Sequence, residues 1–116
     1  MGVSLLPLEN DLLRLKILWE LYQSLFNVCY YGEIQTQRYK IESDNISNVL
    51  AALYYLDNKG YINVRNTKEK DVLIIYIRSR GIDEIEDRWK RGNMLLFGSA
   101  YNNILVREVN NENSKD

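Results

Sequence analysis

The chain has no histidine, a single cysteine (Cys29) and a single proline (Pro7) among its 116 residues. Without histidine, no Ser-His-Asp or Cys-His nucleophile pair can be assembled. Without histidine or a second cysteine there is no Cys/His zinc cluster and no internal disulfide. An enzyme is therefore not expected, nor is a cofactor or a bound metal. Cys29 stands beside Tyr30 and Tyr31 and reads as a small packed hydrophobe, not a reactive thiol. No apolar run approaches the ~20 residues of a bilayer-spanning helix. Residues Met1 to Pro7 carry no secretory pattern. The expectation is a soluble, intracellular, cytoplasmic protein with no membrane partner.

What is present is the composition of a folded domain: 46% hydrophobic and 27% charged residues. A chain of this length buries one core, so a single domain is expected over residues 1–109, followed by a polar tail over 110–116. The net charge of −1 is unevenly spread: residues 35–80 hold eight basic and five acidic side chains, a net +3, and the segments on either side are each −2. The basic character is local, in the middle of the chain.

Pro7-Leu8-Glu9-Asn10-Asp11 opens the first element, with Asn10 as a candidate cap, and a helix is predicted from Leu12 to about Phe26. Its apolar residues, among them Leu15, Leu18, Trp19, Tyr22 and Phe26, cover well over half of the helical circumference. Either it is the central helix of a monomer or it packs on its own core and on a second subunit; the bias of soluble oligomers to two-fold symmetry favours the second. Residues 27–42 fit a short strand or a short helix. Ser43-Asp44-Asn45 then supplies cap residues before a stripe of Ile46, Val49, Leu50, Leu53 and Leu56, and Gly60 is a left-handed stop. Tyr61–Arg65 and Val72–Ile77, around a polar turn, predict a hairpin.

A last helix is predicted from about Ile82, with acids in its first turns and the pairs Glu84–Arg88, Glu86–Lys90 and Asp87–Arg91 at a spacing of four. This spacing accounts for Asp83, Glu84, Glu86 and Asp87 without a hard cation, since no Ca-loop pattern accompanies them. The apolar block Met94–Val106 is expected to continue the helix, with a bend near Gly92 or Gly98. The fold class expected is α+β, mainly α with a β-hairpin.

Ile46-Ser47-Asn48-Val49-Leu50-Ala51-Ala52-Leu53-Tyr54-Tyr55-Leu56-Asp57-Asn58-Lys59-Gly60-Tyr61-Ile62 resembles the recognition helix and first wing strand of MarR-like and PadR-like winged helix-turn-helix regulators. Ile77-Arg78-Ser79-Arg80-Gly81-Ile82-Asp83-Glu84-Ile85 resembles their entry to the last helix. The richness in Ile, Tyr and Asn is similar to that of small winged-helix proteins of archaeal viruses and plasmids, which would place the chain in a host cytoplasm. The resemblance spans about Gln35 to Trp89, roughly half the chain. It implies a recognition helix at about 44–58, a wing at about 61–77, flanking N- and C-terminal dimerisation helices, and a homodimer on double-stranded DNA. Two departures stand out: Arg78 is where the family often has a capping Thr, and the recognition segment Ile46–Asn58 holds no Lys or Arg.

With Ile46, Val49, Leu50, Leu53 and Leu56 assigned to the core, Asn45, Ser47, Asn48, Ala51, Ala52 and Tyr55 face solvent. Asn pairs bidentately with adenine, Ser bonds several base edges, and small Ala residues allow close approach in the major groove. The alternative of equal weight is that Asn45, Ser47 and Asn48 are a helix-capping cluster alone. Phosphate affinity must then come from neighbours: Arg38 and Lys40 before the helix, and Arg65, Lys68 and Lys70 in the wing. The alternative for the wing is an ordinary solvated turn, its lysines neutralised by Glu69 and Asp71. Trp19, Tyr22, Phe26, Leu96, Phe97 and Ile104 are the expected dimer contacts. The runner-up function, suggested by the net charge and the recognition segment without cations, is a winged-helix module that binds protein instead of DNA.

Overall fold

The computed structural model describes residues 7–26, 37–92 and 104–107. Its elements run α1 (Pro7–Leu25), β1 (Arg38–Ile41), α2 (Ile46–Asn58), β2 (Ile62–Asn66), β3 (Val72–Ile77), α3 (Ser79–Lys90) and β4 (Leu105–Arg107). The strands form one antiparallel sheet in the order β2-β3-β1-β4, so the fold is α+β, with α1 and α2 packed on the sheet and α3 packed on α1.

α1 starts earlier than the cap-like Asn10 predicts. Proline lacks only an N–H that the first turn leaves unbonded anyway, and its fixed φ suits that turn, so Pro7 opens the helix and Asn10 lies inside it. The unusually wide apolar coverage of α1 is largely met within the chain: α2, α3 and β3 all pack against it, and Leu15, Ile17, Leu18 and Leu21 are buried. Two of its charged residues are buried as well, Lys16 and Glu20, with Nζ 3.6 Å from Oε2.

α2 ends as its sequence predicts. Gly60 sits at φ +79°, its N–H donating to the Asp57 carbonyl at 3.0 Å and the Tyr61 N–H to the Leu56 carbonyl at 3.0 Å, which is the Schellman pattern. The buried stripe differs by one position. Val49, Ala52, Leu53 and Leu56 face the core, and Leu50 is 45% exposed. Ala52 was expected in solvent; the i, i+3, i+4, i+7 set of Val49, Ala52, Leu53 and Leu56 makes a narrower seam than one containing Leu50, and Leu50 turns instead towards Tyr54 and Val64.

The hairpin pairs Ile62 with Ile77 through to Asn66 with Leu73, as expected. β1 settles the open assignment for residues 38–41 in favour of a strand, pairing with β3 on one side and β4 on the other. Among the described residues the link from β1 to β2 contains one helix, α2, in place of the two consecutive helices of a helix-turn-helix.

α3 opens at Ser79, three residues before the sequence reading, so no acid lies in its first turn. The close approach at Gly81 permits this start: a Cβ there would meet the Tyr61 carbonyl oxygen at 2.3 Å. Of the expected pairs, Glu84–Arg88 forms at 2.8 Å, and Arg88 also reaches Asp11 on α1 at 3.2 Å. Burial alone would lower the Arg88 pKa, but the two carboxylates more than offset it and hold it above the usual arginine value. Glu86 instead accepts the Tyr22 hydroxyl at 2.9 Å, and Arg91, just past the helix end, donates Nε to the Asp87 carbonyl at 3.3 Å.

The expected continuation of the last helix through Val106 does not hold. α3 ends at Lys90 with Gly92 at φ +76°, and Leu105–Arg107 form a strand, because their backbone completes the open edge of β1. Residues 94–103 of the Met94–Val106 block lie outside the described residues, as do Cys29 and the tail.

Candidate nucleic-acid interface

β1 brings the hairpin turn next to the start of α2. The Ile41 N–H donates to the Asp71 carbonyl at 3.1 Å, and residues 42–45 then lead directly into the helix. Arg38 reaches across from β1 to Glu69, Nη2 to Oε1 at 2.9 Å. Inside the turn, the Thr67 hydroxyl donates to the Val72 carbonyl at 2.8 Å and accepts the Glu69 N–H at 3.1 Å, with Asp71 in the left-handed region at φ 64°. Asp tolerates that region better than most side chains do. The turn is therefore held by its own hydrogen bonds, and Glu69 is engaged by Arg38.

This arrangement puts Arg38, Lys40, Arg65, Lys68 and Lys70 at the same end of the molecule as Asn45, Ser47 and Asn48. Lys40, Arg65, Lys68, Lys70 and Ser47 are exposed, and Asn45 and Asn48 are half-buried. Asn45 occupies the N-cap position of α2 but makes no side-chain cap bond; its N–H donates to Ser43 Oγ at 3.1 Å, and its Oδ1 is buried with no hydrogen-bond partner. The capping alternative thus does not describe the Asn45 side chain. Tyr55, assigned to the same site from the sequence, lies near the other end of α2 with the Arg14 guanidinium 3.7 Å over its ring, and is not brought together with the rest.

Of the expected dimer contacts, Ile104 is only 8% exposed and belongs to the core of its own chain, held there by the Glu20 carboxylate, which accepts its N–H. Leu96 and Phe97 lie outside the described residues. The other three belong to a row of rings. Trp19 stacks on Trp89 with centroids 5.9 Å apart and planes at 10°, Tyr22 also stacks on Trp19 at 5.9 Å, and Phe26 meets Tyr22 edge-on at 5.1 Å. Phe26 is 67% and Trp89 59% exposed. A groove of about 270 Å³ lies along Trp19, Tyr22 and Trp89, with Ile85, Glu86 and Lys90 in its walls. The hydrogen bond to Glu86, with burial adding to it, holds the Tyr22 pKa above its ordinary value.

Sequence reasoning missed two features. Lys16 and Glu20 look like a solvated i, i+4 pair, and only the packing of β4 over α1 shows them buried. Arg14 and Lys59 both lie over the Tyr55 ring and Arg80 lies near the Tyr61 ring, with the Arg78 backbone bonded to Tyr61, and their separation along the chain hides this; the one local signal is Arg78-Ser79-Arg80 at the strand-to-helix junction. Among the described residues no three Cys, Asp or Glu side chains gather as a metal site, and no helix is long and apolar enough to cross a membrane. Comparison with protein-family models, with curated proteins and with solved structures returns no match to this chain.

Proposed function

We propose that the chain is a sequence-specific DNA-binding transcriptional regulator of winged-helix type, with the N-terminal end of α2 in the major groove and the hairpin beside it. The observation that carries this reading is the hydrogen bond from Ile41 to Asp71, which ties the cationic turn to the end of β1, from which residues 42–45 lead into α2. Asn and Ser side chains can read base edges there, and the exposed lysines of the turn supply the phosphate contacts that α2, with no Lys or Arg, lacks. The regulator acts as a homodimer. The exposed rings of Trp89 and Phe26 support a two-fold contact along α1 and α3, which would set two copies of α2 about one DNA turn apart.

The test is selection of bound sites from a random duplex pool, followed by titration of the selected site and a scrambled one at low and moderate salt. A regulator enriches one palindromic sequence and binds it more tightly than the scramble, with affinity that falls as salt rises. Equal affinity for both duplexes would remove the sequence-specific reading.

One observation favours a second reading. Leu50 and Tyr54, on the outward side of α2, are exposed and line a groove of about 230 Å³ with Val64 and Leu73. Such a surface suits a winged-helix module that binds protein. Absence of any duplex affinity at low salt is the result that selects it.

A further inference from the structure

At the end of α2 opposite the hairpin turn, the fold gathers four cations drawn from three separate parts of the chain. The Arg78 N–H donates to the Tyr61 carbonyl at 2.9 Å, which seats the start of α3 beside the end of α2. The Arg80 guanidinium lies 5.7 Å from the centre of the Tyr61 ring, and its Cδ is 3.8 Å from where a Cβ on Gly60 would stand. Lys59, the neighbour of Gly60, holds its Nζ 5.7 Å from the centre of the Tyr55 ring, over which Arg14 of α1 stacks at 3.7 Å. Lys59, Arg78 and Arg80 are exposed.

Among the described residues these four carry no counter-charge, a condition that Lys40, Lys70, Lys90 and Arg91 share; what sets them apart is their placement around Tyr55, Gly60 and Tyr61 at one end of α2. Lys16, Arg38 and Arg88 each meet a carboxylate. Among the described residues Arg14, Lys59, Arg78 and Arg80 meet none, and the buried Nε of Arg14 has no acceptor. Like charges held close without compensation raise the energy of the free protein, and an anion relieves that cost. Three of the four are arginines, whose planar fork matches phosphate oxygens, and stacking on Tyr55 fixes the plane of one fork in advance.

The chemistry of the surroundings selects among anions. Docked peptides and lipid surfaces are held by apolar anchors as well as by charge. The exposed large apolar side chains are Leu8, Phe26, Leu50, Tyr54, Trp89 and Val106, and none belongs to this cluster. A phosphodiester chain asks for cations and N–H donors alone. We propose that the Arg14–Lys59–Arg78–Arg80 face binds the phosphodiester backbone of nucleic acid, as a contact separate from the hairpin-turn end. The 13 residues of α2 put the two ends nearly 20 Å apart, so each engages its own phosphates. This inference goes beyond the reading of the turn and α2 as the base-reading end and does not require it.

The experiment is fluorescence-anisotropy titration of a short mixed-sequence duplex over a range of salt, with wild type, Arg78→Gln/Arg80→Gln, Arg78→Lys/Arg80→Lys and Lys68→Gln/Lys70→Gln. All the substituted side chains are exposed, and thermal melting followed by circular dichroism checks that each variant folds. The glutamine pair at 78 and 80 is expected to flatten the slope of log affinity against log salt by about 0.9 per lost phosphate contact, and the lysine pair to restore it. An unchanged slope for Arg78→Gln/Arg80→Gln overturns the inference, whatever the hairpin variant does. Loss confined to that pair, with Lys68→Gln/Lys70→Gln unchanged, upholds the inference and counts against the turn. Phosphatidylserine vesicles and polyglutamate are the competing probes. Binding of either that matches the duplex at equal salt and is lost with Arg78→Gln/Arg80→Gln overturns the assignment to nucleic acid.

Discussion

The carboxylate of Glu20, on α1, accepts the backbone N–H of Leu105, on β4, at 2.8 Å, and that of Ile104 at 2.9 Å. One buried side chain thus satisfies two donors of a strand more than eighty positions away and fastens the edge of the sheet to the central helix. Lys16, one turn earlier, supplies the counter-charge. Removing the acceptor leaves a buried ammonium and two N–H groups uncompensated, so Glu20→Ala is expected to cost on the order of 3–5 kcal/mol in chemical denaturation.

The same carboxylate makes stability depend on pH. Burial, its largest influence, pushes the Glu20 pKa above 4.5, and the N–H groups of Ile104 and Leu105 and the charge of Lys16 pull it back only in part. Between 4.5 and its folded value the folded chain holds a proton that the unfolded chain has released. The contribution of Glu20 is therefore fully present below 4.5 and is lost as pH rises through the folded pKa. Glu20→Gln removes this titration and leaves every other carboxylate in place. The unfolding free energy of wild type minus that of Glu20→Gln is expected to fall as pH rises from about 4 to 7. A flat difference would show that the carboxylate titrates alike in both states.

Gly81→Ala sets two effects against each other. Alanine favours a helix over glycine by roughly 0.8–1 kcal/mol. Its Cβ, however, would stand 2.3 Å from the Tyr61 carbonyl oxygen and 2.8 Å from Ile77 Cγ1, and the first of these is backbone that cannot swing away. Forced displacement of this kind costs about 1–3 kcal/mol or more, so the clash wins. Gly60→Ala meets nothing closer than 3.8 Å and bears only the left-handed strain of φ +79°, about 1–2 kcal/mol. Thermal melts are expected to rank Gly81→Ala as the more damaging; the reverse order would refute the close approach.

Trp89 tests the aromatic row as a two-fold contact. Its ring is mostly exposed, so Trp89→Lys is expected to lose the stack on Trp19, about 0.5–1.5 kcal/mol, and to remain folded. Sedimentation equilibrium at micromolar concentration is expected to give a dimer for wild type and a monomer for Trp89→Lys. A monomer in both cases removes the dimer; a dimer in both moves the contact elsewhere.

Local chemistry made some elements readable and left others hidden. Gly60, the Val49–Leu56 spacing and the polar turn at 66–71 each act within a few residues of themselves, and α2 and the hairpin follow from them. α1 could be foreseen, but its start could not, because Pro7 and Asn10 are both plausible openings and only one is used. β4 was not foreseen because its pairing depends on β1, more than sixty positions away, and the apolar run before it has no period that separates strand from helix. The basic residues of β1 and of the turn were legible within a net +3 over residues 35–80. That total did not show that Glu69 is taken up by Arg38, or that Arg78 and Arg80 lie at the opposite end from Lys68 and Lys70.

The start of α2 yields the sharpest test of base reading. Ser47 is exposed in the first turn, so Ser47→Ala is expected to leave folding unchanged; Asn48 is half-buried, so its variant must be checked by melting first. If these side chains reach base edges, each alanine variant loses about 1–3 kcal/mol for the selected duplex and little for a scrambled one. The salt slope should stay the same in both variants, because neither side chain carries charge. Lys68→Gln/Lys70→Gln should behave in the opposite way, weakening both duplexes alike and flattening the slope. The two patterns are mutually exclusive for a single side chain, so the pair of measurements assigns each residue to base or backbone. Equal losses on selected and scrambled duplex for Ser47→Ala and Asn48→Ala would show that the start of α2 does not read sequence.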